Sequence, residues 1–148
     1  MRLLNSVDEM RELGRFIASK CQAGDLIVLS GPLGAGKTAL TQGIGAALDV
    51  DGITSPTFVI SRVHSGKIPL IHVDAYRLLG STTSTFEFDD LDLDRGREEA
   101  VTVIEWGGEV GTRFNDEFLE IVIEFGASED ERNVKAIPHG KRWEGFTL

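Results

Sequence analysis

The sequence predicts an α/β fold, a mixed sheet with a parallel core flanked by helices, and three observations carry that expectation. Short runs that are apolar almost throughout, Leu26 to Ser30 (LIVLS) and Ile68 to Val73 (IPLIHV), read as strands covered on both faces. Stretches with helical hydrophobic spacing alternate with them, and a β-rich tail closes the chain, which makes the sheet mixed.

Element by element, Ser6 and Glu9 have the spacing of a capping box. Val7, Met10, Leu13 and Ile17 follow at helical intervals, so a first helix is expected to run to Cys21. The strand Leu26 to Ser30 comes next, then a second helix from Lys37 to Leu48, broken between Asp51 and Pro56 by Gly52 and Pro56. Thr57 to Val63 alternates and is β-rich; Ser65 and Gly66 make a turn into Ile68 to Val73, and a hairpin is expected. Thr83 to Glu99 is acidic and weakly helical, Val101 to Ile104 is β-branched and ends at Glu105 and Trp106, and two further strands are expected at Leu119 to Phe125 and Val134 to Ile137.

The bulk numbers exclude several classes. A chain of 148 residues with 41% hydrophobic and 26% charged residues is long enough for a sizeable core and is neither fibrous nor disordered in composition. No repeat and no Pro/Gly linker divides it, so residues 1–148 are expected to form one domain. The net charge of −9 argues against a surface that neutralises nucleic-acid phosphates by itself. Cys21, the one cysteine, cannot form an internal disulfide, and no run approaches the roughly 18 apolar residues of a membrane span, so a cytoplasmic location is expected.

The chemistry concentrates in Gly31-Pro32-Leu33-Gly34-Ala35-Gly36-Lys37-Thr38, which matches the P-loop pattern G-x-x-x-x-G-K-[ST] between an expected buried strand and an expected helix. Glycines let the backbone adopt positive φ and approach a ligand, so that successive N–H groups surround phosphate oxygens at a helix N-terminus. Lys37 would supply a point charge to the terminal phosphates and Thr38 a hydroxyl to magnesium. The competing reading is a Gly-rich turn with a solvated lysine, but four fixed positions and both flanking elements favour the phosphate loop. The fold is therefore expected to be P-loop NTPase-like.

Phosphoryl transfer from a magnesium nucleotide needs a carboxylate near the ion, and ligands of open α/β sheets lie at the carboxyl ends of parallel strands. Asp74 and Glu105 are each the first acid after an apolar strand; a strand-end acid facing water is the plain alternative. Thr54, Ser55 and Thr57 are placed like a switch segment that senses a γ-phosphate, or serve only as local turn residues. His72, between Ile71 and Val73, reads as a strand side chain rather than a metal ligand.

Taken together, GPLGAGKT, TSPTF (Thr54 to Phe58), HVDAYR (His72 to Arg77) and IEW (Ile104 to Trp106) resemble the TsaE family, the small ATPase of bacterial tRNA threonylcarbamoyladenosine (t6A) synthesis. The resemblance covers nearly the whole chain. It implies an ATPase, weak alone, that works with the subunits TsaB and TsaD to modify adenosine 37 of tRNAs reading ANN codons, TsaD being the transferase. It implies a catalytic set of Lys37, Asp74 and Glu105, with Thr38 and Glu105 as magnesium ligands. It implies ATP contacts at Ser6, Gly34, Ala35, Gly36, Lys37, Thr38, Ala39, Trp106 and Arg132. Thr54, Ser55 and Thr57, and separately His72, Tyr76 and Arg77, match switch-like segments. The chain departs from the family at IEWGGEV, where Gly107 and Gly108 replace the usual Pro and acid. Ser6 can equally be an N-cap alone, Trp106 a packing aromatic, and the acids from Glu87 to Asp94 a solvated face or a docking surface.

Two other functions use the same loop. A small-molecule kinase needs an Arg-bearing lid and an acceptor pocket, for which Arg95 and Arg97 leave little room. A nucleotide-gated binding module that hydrolyses nothing differs from an ATPase only in the dependence of turnover on partners.

Overall fold

The computed structural model describes residues 1–50, 53, 61–74, 97–105 and 117–148, with the backbone alone at 61–64, Asp74 and Arg97. Thr54, Ser55, Thr57, Tyr76, Arg77, Trp106 and the acidic stretch from Thr83 to Gly96 lie outside the described residues.

The elements are β1 (Arg2–Leu4), α1 (Val7–Ser19), β2 (Leu26–Ser30), α2 (Lys37–Ala47), β3 (Ser61–His64), β4 (Leu70–Asp74), β5 (Val101–Glu105), β6 (Phe118–Phe125) and β7 (Arg132–His139). The seven strands form one sheet in the order β1-β7-β6-β2-β5-β4-β3. β2 pairs in parallel with β5 and β6, and β4 with β5; the pairs β1/β7, β6/β7 and β3/β4 are antiparallel. This is the mixed sheet with a parallel core that the alternation of apolar runs predicts, and the β3–β4 hairpin is present. In β2 the successive residues Ile27 and Val28, which face opposite sides of the sheet, are both fully buried, as the unbroken apolar run requires.

The Ser6–Glu9 signal forms, with one change. Ser6 Oγ accepts from the Glu9 N–H at 3.1 Å, but the Glu9 carboxylate takes the N–H of Asn5 at 2.6 Å, one residue before the cap. α1 stops at Ser19 rather than Cys21, because the amides of Lys20 and Cys21 turn to Ile17 and Ala18. β1 was not foreseen; it is a three-residue edge strand whose partner β7 lies at the other end of the chain.

Met10, Leu13 and Ile17 of α1 and Leu40 and Ile44 of α2 share one buried cluster with Ile27, Leu29, Val103, Ile121 and Ile123 of the sheet. The two helices cross almost backbone to backbone. A Cβ on Gly43 would lie 2.0 Å from the Arg11 carbonyl oxygen, and one on Gly14 would lie 2.3 Å from that of Leu40. The far end of α1 is held by the chain terminus: Phe16 meets Phe146, which stands edge-on to buried Trp143, while Arg142 clasps the buried Asp25 carboxylate at 2.9 and 2.6 Å.

Candidate functional site

β2 ends at Ser30 and the phosphate loop follows at once, so the loop springs from the middle of the sheet, with β5 and β6 on either side. Gly34 takes φ 81° with nothing within 4 Å of where a Cβ would stand, which leaves its backbone open to a ligand. Gly36 takes φ 113° as the N-cap of α2, a conformation that L side chains rarely adopt. With glycine at its N-cap, α2 has no side-chain cap, and the helix dipole favours an anion at its first turn.

Lys37 is the first residue of α2 and only 5% exposed. Its ammonium donates to the carbonyls of Gly31 at 2.8 Å and Pro32 at 2.9 Å, which folds it back across the loop. Thr38 is the next residue, and Thr41 steadies the turn by donating to the Lys37 carbonyl at 2.9 Å.

Beside the loop lies an open cleft lined by Ser6, Val7 and Met10 of the α1 start, by Gly34, Ala35, Gly36 and Ala39, and by Asp130 and Arg132. It gathers Ser6, Gly34 to Gly36, Ala39 and Arg132, which the sequence scatters over the whole chain. Arg132 reaches it from the start of β7: Nε donates to the Ala35 carbonyl at 3.1 Å, Nη1 to those of Glu129 and Glu131 at 2.6 and 2.9 Å, and the guanidinium lies 4.8 Å from the centre of the Phe125 ring. Val7 and Met10, which the sequence marks only as part of the apolar face of the first helix, also line the cleft, as does Asp130, for which the sequence carries no signal; Met10 is buried as that face requires, but Val7 is 57% exposed.

On the other side of β2, register sets Leu29 beside Glu105 and Glu105 beside Asp74, so the carboxyl ends of β2, β5 and β4 stand level. Glu105 is 3% exposed and His72 fully buried, and His72 Nε2 lies 2.9 Å from Glu105 Oε1. His72 is thus a strand residue, as its apolar neighbours suggest, but one bonded to a candidate site carboxylate. Among the described residues His72 is its hydrogen-bonding partner, and a carboxylate this buried is the kind of group that a hard cation stabilises. The Thr38 hydroxyl and the Glu105 carboxylate are oxygen donors of the kind magnesium takes, with phosphates and waters completing its shell. The residues therefore fit the ion. Among the described residues no group of three or more His, Cys, Asp or Glu forms a cage for a metal.

The family model described as threonylcarbamoyl adenosine biosynthesis protein TsaE matches residues 4–134. The chain belongs to the TsaE family. It is 48% identical over 141 residues to the tRNA threonylcarbamoyladenosine biosynthesis protein TsaE of Streptomyces coelicolor, covering 90% of this chain and 93% of that protein. It is 34% identical over 140 residues to that of Bacillus subtilis, covering 93% and 84%. A crystal structure of Bacillus subtilis YdiB superposes with a TM-score of 0.74 at 31% identity, over 97% of this chain and 87% of that one. The sheet order, the loop after β2 and these likenesses make the fold P-loop NTPase-like. Among the described residues no helix is long and apolar enough to cross a membrane.

Proposed function

We propose that this TsaE-family chain is an ATP-binding, slowly hydrolysing subunit required for the threonylcarbamoyl modification of adenosine 37 in tRNAs reading ANN codons. It acts with TsaB and TsaD, is not itself the transferase, and works in the cytoplasm as a single domain over residues 1–148. The observation that carries the reading is the convergence of Ser6, the Gly34–Gly36 backbone, Ala39 and Arg132 on one cleft beside the phosphate loop.

In this reading the first-turn amides of α2 receive the β- and γ-phosphates, and the Lys37 ammonium turns from the carbonyls of Gly31 and Pro32 to the bridging oxygens. Val7 and Met10 offer an apolar wall to the adenine, with Ser6 and Arg132 at its polar rim, and Trp106 contacts the nucleotide as the family resemblance implies. Thr38 and Glu105 hold magnesium, which when bound neutralises charge on the phosphates. Asp74, level with Glu105, and the segments containing Thr54, Ser55, Thr57, His72, Tyr76 and Arg77 respond to the γ-phosphate. No step needs a covalent intermediate, because positioning and charge stabilisation suffice for slow attack by water.

The test is magnesium-dependent ATP hydrolysis by the purified chain, alone and with its TsaB and TsaD counterparts, together with Lys37→Ala. The expected result is a low rate alone, a rise with the partners, and at least about a hundredfold loss of nucleotide affinity in the variant, as for removal of a buried charge-assisted contact worth about 3 kcal/mol. Unchanged affinity in Lys37→Ala refutes the site, and a rate stimulated by a small-molecule acceptor rather than by the partners refutes the function.

A further inference from the structure

We propose that His72 is the positioning residue of Glu105, a neutral imidazole that fixes one carboxylate oxygen by donation from Nε2 and leaves the other for the cation shell. The inference rests on the reading of Glu105 as a magnesium-shell residue.

The two side chains come from adjacent parallel strands and are 33 residues apart in sequence. His72 pairs with Val103, so Glu105 lies two residues further along β5 on the same face, and the two side chains meet on that diagonal. The contact is 2.9 Å and both groups are almost wholly buried, so neither trades it for water.

The tautomer follows from which atoms are satisfied. Among the described residues, His72 Nδ1 is buried and has no hydrogen-bond partner, and the Glu105 carboxylate meets the ring through Oε1. With the proton on Nε2, the ring donates to the carboxylate and Nδ1 is left a bare acceptor. With it on Nδ1, a buried N–H would be orphaned and a lone pair would face the Glu105 oxygen. The first arrangement satisfies both members of the pair at the one contact they make.

A neutral donor also explains why a histidine suits this position. Lys or Arg here would cancel the carboxylate's charge and compete with the ion; a neutral imidazole orients Oε1 and leaves the negative charge in place. Partners that orient a ligating carboxylate in this way typically set metal affinity by a factor of about 10–100.

The experiment titrates Mg²⁺ into the protein with a non-hydrolysable ATP analogue, reading nucleotide affinity by calorimetry, with an EDTA arm that reads metal-free binding. For His72→Leu, which keeps the volume and removes the donor, the Mg²⁺ midpoint is expected to rise by about 10–100-fold while the EDTA affinity holds. His72→Gln, which offers an N–H at similar reach, is expected to restore most of it. A wild-type midpoint in His72→Leu, or a His72→Gln midpoint displaced as far as that of His72→Leu, overturns the proposal. Glu105→Gln separates the two readings. If it displaces the midpoint and His72→Leu does not, only the role of His72 fails; if it displaces nothing, the assignment of Glu105 fails and the proposal with it. Long-range ¹H–¹⁵N spectra of the wild-type ring need no variant to fold: a proton on Nε2 is expected, and one on Nδ1 refutes the geometry.

Discussion

Replacing Gly43 by alanine sets two effects of opposite sign against each other. In a helix interior, alanine is favoured over glycine by about 1 kcal/mol, so propensity alone calls for stabilisation. The new Cβ, however, would lie 2.0 Å from the carbonyl oxygen of Arg11 and within 3 Å of that residue's carbonyl carbon and Cα, all of them backbone. No rotamer relieves this, and α1 and α2 must part by more than about 1 Å, at which dispersion contacts lose a quarter to a half of their depth. The seam holds Met10, Leu13, Ile17, Leu40 and Ile44, each of which gains about 1.5–3 kcal/mol from burial. Losing a quarter of that is about 2–4 kcal/mol, within the usual cost of overpacking, and the net after propensity is about 1–3 kcal/mol of destabilisation. For a chain of this size the melting temperature falls by about 3–10 °C. Urea unfolding followed by circular dichroism reads it as a lower midpoint at unchanged slope. Nucleotide affinity is expected to fall as well, because α1 brings Ser6, Val7 and Met10 to the cleft and α2 starts at the loop. Gly45→Ala is the internal comparison, since its Cβ would meet chiefly the movable Cδ1 of Ile53, at 2.2 Å, and a smaller loss is expected. A Gly43→Ala protein as stable as wild type, or more so, refutes the reasoning.

Arg142→Ala leaves the buried Asp25 carboxylate with the Gln22 N–H and no cation, and is expected to cost about 2–4 kcal/mol by calorimetry; a double-mutant cycle with Asp25→Asn should recover part of it. Desolvation, with the nearby Asp25 charge adding to it, pushes the Cys21 thiol from 9.0 up to about 12. The group is therefore protonated in the native state where the unfolded chain would ionise, so its contribution to stability is whole below pH 9 and is lost between about pH 9 and 12. Wild type should lose stability across that window more steeply than Cys21→Ala, and native alkylation at pH 8 should be slow until denaturant is added. Ser6→Ala removes the N-cap bond to the Glu9 amide and is expected to cost about 1 kcal/mol; an accompanying loss of nucleotide affinity, read by calorimetry, separates a ligand contact from a cap alone.

The central strands were legible because burial on both faces forces runs such as LIVLS, and the phosphate loop because its chemistry fixes four positions within eight residues. β1 was not, since three residues carry no period and its partner is 130 positions away. The boundary of α1 missed by two residues because its end is set by local amide turns rather than by composition. At the candidate site, Lys37, Thr38 and Glu105 are singled out by their sequence neighbours alone. The bond between His72 and Glu105 is not, because it depends on the register of two strands that meet only in the folded sheet. The same holds for the approach of Val7 and Met10 to Gly34–Gly36: helical spacing shows that Met10 is inward, but only the crossing at Gly14 and Gly43 decides what it lies against.

The anchorage of Arg132 has a consequence for how this chain can vary. Its guanidinium bonds to the carbonyl of Ala35, 97 residues earlier, and to two carbonyls of its own turn, and so measures the distance between the β6–β7 turn and the phosphate loop. Surface turns ordinarily absorb insertions and deletions at little cost. In the turn from Gly126 to Glu131 two carbonyls are tied to Arg132, whereas Arg132 itself is kept against the loop by its pairing with Phe125 across the β6–β7 ladder. A change of turn length should therefore cost the bonds to Glu129 and Glu131 and spare the one to Ala35, while a slip of the β6–β7 register should cost all three.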